Sequence, residues 1–127
     1  MSEPAVEHSM EAEHGVQFTL FNAPRDAVES SQSREMVGRL LDQVIDYTNV
    51  HFLSEQLMMR MYNYPDYALH EDEHDLFMEE MNVLRDSCTK GDSSEMAQKI
   101  GDLLKWLRDH VDGMDRALNR FLREQRN

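Results

Sequence analysis

Six histidines stand at positions 8, 14, 51, 70, 74 and 110, and their neighbours suggest what most of them are for. His51 and Glu55 are four apart, His70 and His74 are four apart, and Asp115 follows His110 by five. Residues four apart on a helix lie on one face about a turn from each other, so each of the first two pairs can grip one object from one side. Asp115 is rotated off the strict face of His110, but it can still point inward where Gly113 gives the turn local freedom. His14 shares its helical face with Phe18 and Phe21. Imidazole and carboxylate donors without cysteine suit iron, manganese, zinc or copper rather than a thiolate site.

The elements that must position these residues are helices. Val37, Leu40, Leu41, Val44, Tyr47, His51, Glu55, Met58 and Tyr62 fall on one continuous face. Ser33 is its expected N-cap, with Glu35 in the first turn. Asn63-Tyr64-Pro65-Asp66 should end it, because the residue before a proline avoids the helical region. A third helix is expected from about Tyr67 to Cys88, with His70, His74, Phe77, Met78, Met81, Leu84 and Cys88 facing inward. The acids Glu71, Asp72, Glu73, Asp75, Glu79 and Glu80 then form a solvated charge run on its other side. Gly91 reads as a helix stop and Asp92 with Glu95 as a capping box. The fourth helix carries Met96, Ile100, Leu103, Leu107, His110 and Met114, and continues through Leu118 and Leu122. The first runs from about Met10 to Val28, and Pro24 should kink it or cost it a hydrogen bond. The pattern predicts an all-α fold, an antiparallel up-down-up-down four-helix bundle.

Composition bounds the rest. A chain of 127 residues, 40% hydrophobic and 30% charged, is one soluble globular domain. Residues 1–9 read as an acidic arm and residues 10–127 as the bundle. A net charge of -12 argues against nucleic-acid partners and against an anionic membrane surface. The single cysteine, Cys88, excludes an internal disulfide framework and fits a reducing compartment. With no apolar run of signal or membrane-spanning length, the expected location is cytoplasmic.

A lone core histidine is more often hydrogen-bonded structure than a ligand, and an inward acid can simply pair with it. Here, however, all four helices would need separate excuses for buried polar groups. One buried metal centre satisfies them together. Five imidazoles (His14, His51, His70, His74, His110) and two carboxylates (Glu55, Asp115) are too many for one ion. Two ions bridged by the carboxylates are implied; suppose that a solvent-derived oxygen bridges them as well. On that supposition three histidines would complete an octahedron at one ion, and two would leave the other with a position for a small diatomic such as dioxygen.

These motifs resemble those of the hemerythrins, closest to the single-domain bacterial members. The stretches that match are IDYTNVHFLSEQ around His51 and Glu55, the Tyr64-Pro65 turn, His70-x-x-x-His74, and WLRDHVDGMD with His110 and Asp115; together they cover roughly residues 35 to 115. The resemblance implies two iron ions bridged by Glu55, Asp115 and an oxo or hydroxo group. His70, His74 and His110 would hold one iron, and His14 and His51 the other, which binds dioxygen reversibly. Three features depart from the family pattern. Glu11-Ala12-Glu13-His14 replaces the usual Asp-x-Gln-His, which leaves His8 as the other candidate on the first helix. Gln56 stands where a second acid commonly follows the bridging glutamate. Pro24 interrupts the first helix.

Other functions are weighed against this one. Ferritin-like oxidases use Glu-x-x-His triplets, and Glu11–His14 and Glu71–His74 have that form. That reading leaves His51, His70 and His110 unexplained. Oxidase, peroxidase or nitric-oxide chemistry on a hemerythrin-like scaffold is the alternative, and a free-standing sensor module is a third. Phe18, Phe52, Trp106 and Leu107 fall near the ligands by spacing, either as pocket lining or as plain packing.

Overall fold

A computed structural model describes residues 3–88 and 93–125, with side chains from Gly15 onward apart from Ser93. Helix α1 spans Glu3–Glu29, α2 Arg34–Met61, α3 Tyr67–Ser87 and α4 Ser93–His110. A π-helical turn, Val111–Asp115, carries α4 directly into α5, Arg116–Gln125. Among the described residues there is no strand. Helix α1 packs on α2 and α4, and α3 packs on the same two, closing the ring of an antiparallel four-helix bundle whose fourth rod is α4 continued by α5.

The first helix starts earlier than its apolar periodicity suggested, at Glu3 rather than about Met10. Ala5, Glu7 and Met10 through Ala12 are good helix formers, and acids in a first turn favour the N-terminal end of the dipole. Pro24 lies within the helix and is itself buried. It has no N–H for the Leu20 carbonyl, so the helix continues at the cost of one hydrogen bond.

Both turns around α2 are built alike. Ser31, at φ 59°, follows α1, where the Gln32 N–H reaches the Ala27 carbonyl at 2.9 Å and the Ser31 N–H reaches Val28 at 3.1 Å. Asn63, at φ 53°, follows α2, where the Tyr64 N–H reaches Met59 at 2.8 Å and the Asn63 N–H reaches Arg60 at 3.3 Å. This is the Schellman pattern, which satisfies the last carbonyls and is often sealed by an apolar contact. Tyr64 and Met59 supply that contact in one buried cluster. The helix therefore stops at Met61 because Asn63 turns left-handed, and Pro65 only follows. Ser33 caps α2 as expected, its hydroxyl accepting from the Met36 N–H at 3.2 Å. The expected stop at Gly91 and the Asp92 half of the capping box lie outside the described residues.

The core is split. A large apolar cluster (Phe21, Leu41, Val44, Phe77, Met81, Leu84, Ile100 and Leu107 among its members) fills one end. A small one, made of Met59, Tyr64, Leu118 and Leu122, fills the other. Along α2 to α5, the buried histidines and acids fall between the two: His51 and Glu55, His70 and His74, His110 and Asp115. Because the Asn63 turn sets α3 against α2 across this layer, its conformation should be felt in stability. Asn63→Val is expected to destabilise the fold by about 1–2 kcal/mol, the usual cost of a left-handed residue, while Asn63→Gly stays at or above wild type. Thermal melts of the two variants check this.

Candidate metal centre

The polar layer is buried. His51, Glu55, His70, His74, His110 and Asp115 are each no more than 3% exposed. One ligand atom from each of Glu55, His70, His74, His110 and Asp115 lies within 4.8 Å of the others. Asp115 Oδ1 stands 3.0 Å from His70 Nε2 and 3.1 Å from His110 Nε2. Glu55 turns its two oxygens to different partners. Oε1 faces His74 Nε2 at 3.1 Å and His70 Nε2 at 3.5 Å, and Oε2 faces His51 Nε2 at 3.1 Å.

Asp115 reaches the layer through the π turn. On a regular α-helix, five residues carry a side chain about 140° around the axis from His110. The i→i+5 bonding of a π turn absorbs one residue and brings the fifth back under the first. The intervals along the inner face read Ile100, Leu103, Leu107, His110, Asp115, Leu118, Leu122, three-four steps throughout except for the five at the turn. The sequence expectation that Asp115 points inward is met, by a wider turn rather than by looseness at Gly113.

The donor set fits a cation. His74 Nδ1 donates to the amide oxygen of Gln56 at 3.0 Å, and His110 Nδ1 donates to Glu73 Oε1 at 3.2 Å. In the neutral rings each Nε2 therefore carries a lone pair, and the two lone pairs face each other at 3.2 Å. They also face the carboxylates. An array of acceptors in a dry interior repels itself unless protons or a metal ion stand among them.

Aromatic rings wall the layer. Phe52 stacks on His74 with centroids 3.7 Å apart and planes 3° apart, and Trp106 stacks on His110 at 5.0 Å and 9°. Phe77 stacks on Trp106 in turn. Of the residues expected near the ligands, Phe52 and Trp106 touch them. Leu107 belongs to the large core cluster, and Phe18 packs at its edge.

Of the sequence candidates, six converge: His51, Glu55, His70, His74, His110 and Asp115. The side chains of His14 and His8 lie outside the described residues. The backbone level of His14 is nonetheless fixed by a neighbour. Gln17 Nε2 donates to Thr48 Oγ1 at 3.0 Å, a fully buried bond between α1 and α2. Three residues back along α1 is His14, and three residues on along antiparallel α2 is His51, so the two positions share a level.

Sequence reasoning missed Gln17 and Thr48, although a Gln and a Thr at helical spacing from the ligands are the visible signal. It also placed Glu71 and Glu73 in a solvated charge run, and the structure corrects this. Glu73 holds His110 across the α3–α4 gap, and Glu71 accepts from Gln56 and Tyr67. Periodicity along one helix cannot show a partner on another. Glu71 does not join the convergent group, so the Glu71–His74 triplet of the ferritin-like reading is not assembled.

Burial opposes the charged form of His70, but hydrogen bonds to Asp115 and Glu55 outweigh it and raise its pKa to about 9. His74 moves the other way. Burial lowers its pKa, Glu55 pulls it up, and His70 and His110 push it down again. With its folded pKa raised from 6.5 to about 9, His70 in the metal-free chain adds stability that is fully present below pH 6.5 and lost as pH rises through 9. A metal must displace the same proton. Metal-free melting temperature should therefore fall, and apparent divalent-metal affinity rise, between pH 6.5 and 9. Melts in chelator and competition titrations at stepped pH measure the two.

Residues 6–122 match the family described as Hemerythrin HHE cation binding domain. The chain is 31% identical over 115 residues to a bacteriohemerythrin of Ralstonia nicotianae, covering 91% of this chain and 80% of that one. It is 31% identical over 108 residues to one of Stenotrophomonas maltophilia, covering 78% and 69%. A hemerythrin-like protein of Naegleria gruberi is 29% identical over 108 residues, covering 85% and 78%. No solved structure matches the chain at a significant level. With a family match over nearly its whole length and a buried His, Glu and Asp cluster between two halves of a helical bundle, the chain belongs to the hemerythrin family.

Proposed function

We propose that this chain is a non-haem di-iron protein that binds dioxygen reversibly, for storage, delivery or sensing. His70, His74 and His110 would hold one iron, His51 and His14 the other, and Glu55 and Asp115 would bridge them with an oxo or hydroxo group. The observation that carries this reading is the split use of Glu55, whose Oε1 faces His70 and His74 while Oε2 faces His51. A carboxylate that serves a single ion has no need to address imidazoles on two sides. When bound, the irons supply a reversible two-electron partner for dioxygen.

The chain's own residues do the rest. Glu73 and Gln56 fix the His110 and His74 tautomers so that Nε2 points into the layer. Phe52 and Trp106 keep water from the imidazoles they cover, and Phe77 backs Trp106. Enclosure of this kind favours holding a small apolar gas over admitting an organic substrate, so the protein is read as a carrier rather than an enzyme. No helix among the described residues is long and apolar enough to cross a membrane, and with its single cysteine the chain suits a cytoplasmic setting.

Iron analysis of the purified chain should give two irons per protein. Its reduced form should gain a visible absorption band under oxygen that bleaches on deoxygenation. His14→Ala should lose the band while keeping iron at the three-histidine position. One iron per wild-type chain, or a spectrum indifferent to oxygen, would rule the proposal out.

A further inference from the structure

The three imidazoles of the three-histidine group are held from behind, and not equally. His110 Nδ1 donates directly to a carboxylate oxygen of Glu73. His74 Nδ1 donates to Gln56 Oε1 at 3.0 Å, and Gln56 Nε2 donates to Glu71 Oε2 at 3.3 Å. That same oxygen accepts from the Tyr67 hydroxyl at 2.7 Å, and the Tyr67 oxygen accepts from Arg60 Nε at 2.7 Å. The Arg60 guanidinium also stands 3.8 Å from Glu71. His70 Nδ1 has no hydrogen-bond partner among the described residues. The backing is thus a carboxylate for His110, a carboxylate at one remove through a neutral amide for His74, and none seen for His70.

We propose that Gln56 is a positioning residue for His74, and that its amide, oriented by Glu71, Tyr67 and Arg60, sets the donor strength of that imidazole below that of His110. The orientation follows from chemistry. Glu71 can only accept, so Gln56 must turn its NH2 toward Glu71 and its carbonyl toward His74. The carbonyl then requires a proton on Nδ1, which leaves the Nε2 lone pair for the metal. A carboxylate behind an imidazole draws that proton more strongly and gives the ring more imidazolate character, which favours the oxidised metal. An amide does so less. Arg60 and Tyr67 hold the Glu71 charge in place, so the carboxylate acts on the amide rather than on the ring.

This rests on the metal reading above, and the test separates the two. Two variants of the iron-loaded full chain are compared with wild type: Gln56→Leu, and the double exchange Gln56→Glu with Glu71→Gln. The exchange keeps net charge and both hydrogen bonds, but it puts the carboxylate directly behind His74. Iron(II) affinity is read by chelator competition and the midpoint potential by redox titration. Gln56→Leu should weaken iron binding about 10–100-fold, the usual effect of losing an outer partner of a ligating histidine. The exchange should hold affinity near wild type and shift the potential downward. A Gln56→Leu variant within about twofold of wild-type affinity, against the 10–100-fold expected, would overturn the proposal. So would an exchange variant with unchanged potential. Either result leaves the metal centre standing, whereas a wild-type chain that takes up no iron removes both.

Discussion

Six ionisable side chains buried at one level of a narrow bundle have to share something, and the rest of the structure is arranged around that demand. Each charge taken out of water costs several kcal/mol unless it is matched. In this layer the acceptors outnumber the protons that neutral rings can provide. His74 and His110 spend their Nδ1 protons outward, on Gln56 and Glu73. What remains inside is a set of lone pairs and carboxylate oxygens about one cation's reach apart. The apolar clusters on either side hold that set closed, because separating the helices would expose both.

Much of this was legible in the chain. The i,i+4 spacing of His51 with Glu55 and of His70 with His74 identified their faces, and the Ser33 cap and the start of α3 at Tyr67 lie where local chemistry puts them. What was not legible depends on neighbours across space. Glu73 looks like one acid among many until α4 brings His110 against it. Gln56 reads as a departure from pattern until Glu71 shows which way its amide must face. The stretch from Asn63 to Asp66 marks the end of α2 in the sequence, but the left-handed Asn63 and the Tyr64–Met59 contact accomplish it rather than Pro65, because a left-handed residue leaves little mark in composition.

The buried Gln17–Thr48 bond has a role beyond its energy. Polar pairs inside a core are weak contributors to stability but strong determinants of register, since a slip of either helix leaves both partners unmatched. Here that register joins α1 to α2, the helix that supplies His51 and the split carboxylate Glu55. The first helix is thereby set by a bond one turn away from the layer, rather than by the layer alone.

Asp115 sits at the end of a π turn, and Glu55 in the interior of a regular 28-residue helix. A π turn closes i→i+5 hydrogen bonds, and here the Arg116 N–H reaches back to the Val111 carbonyl. The two acids therefore enter the layer from unlike backbones: Glu55 from an unbroken α-helix, and Asp115 from the one described turn where the helical ladder is widened.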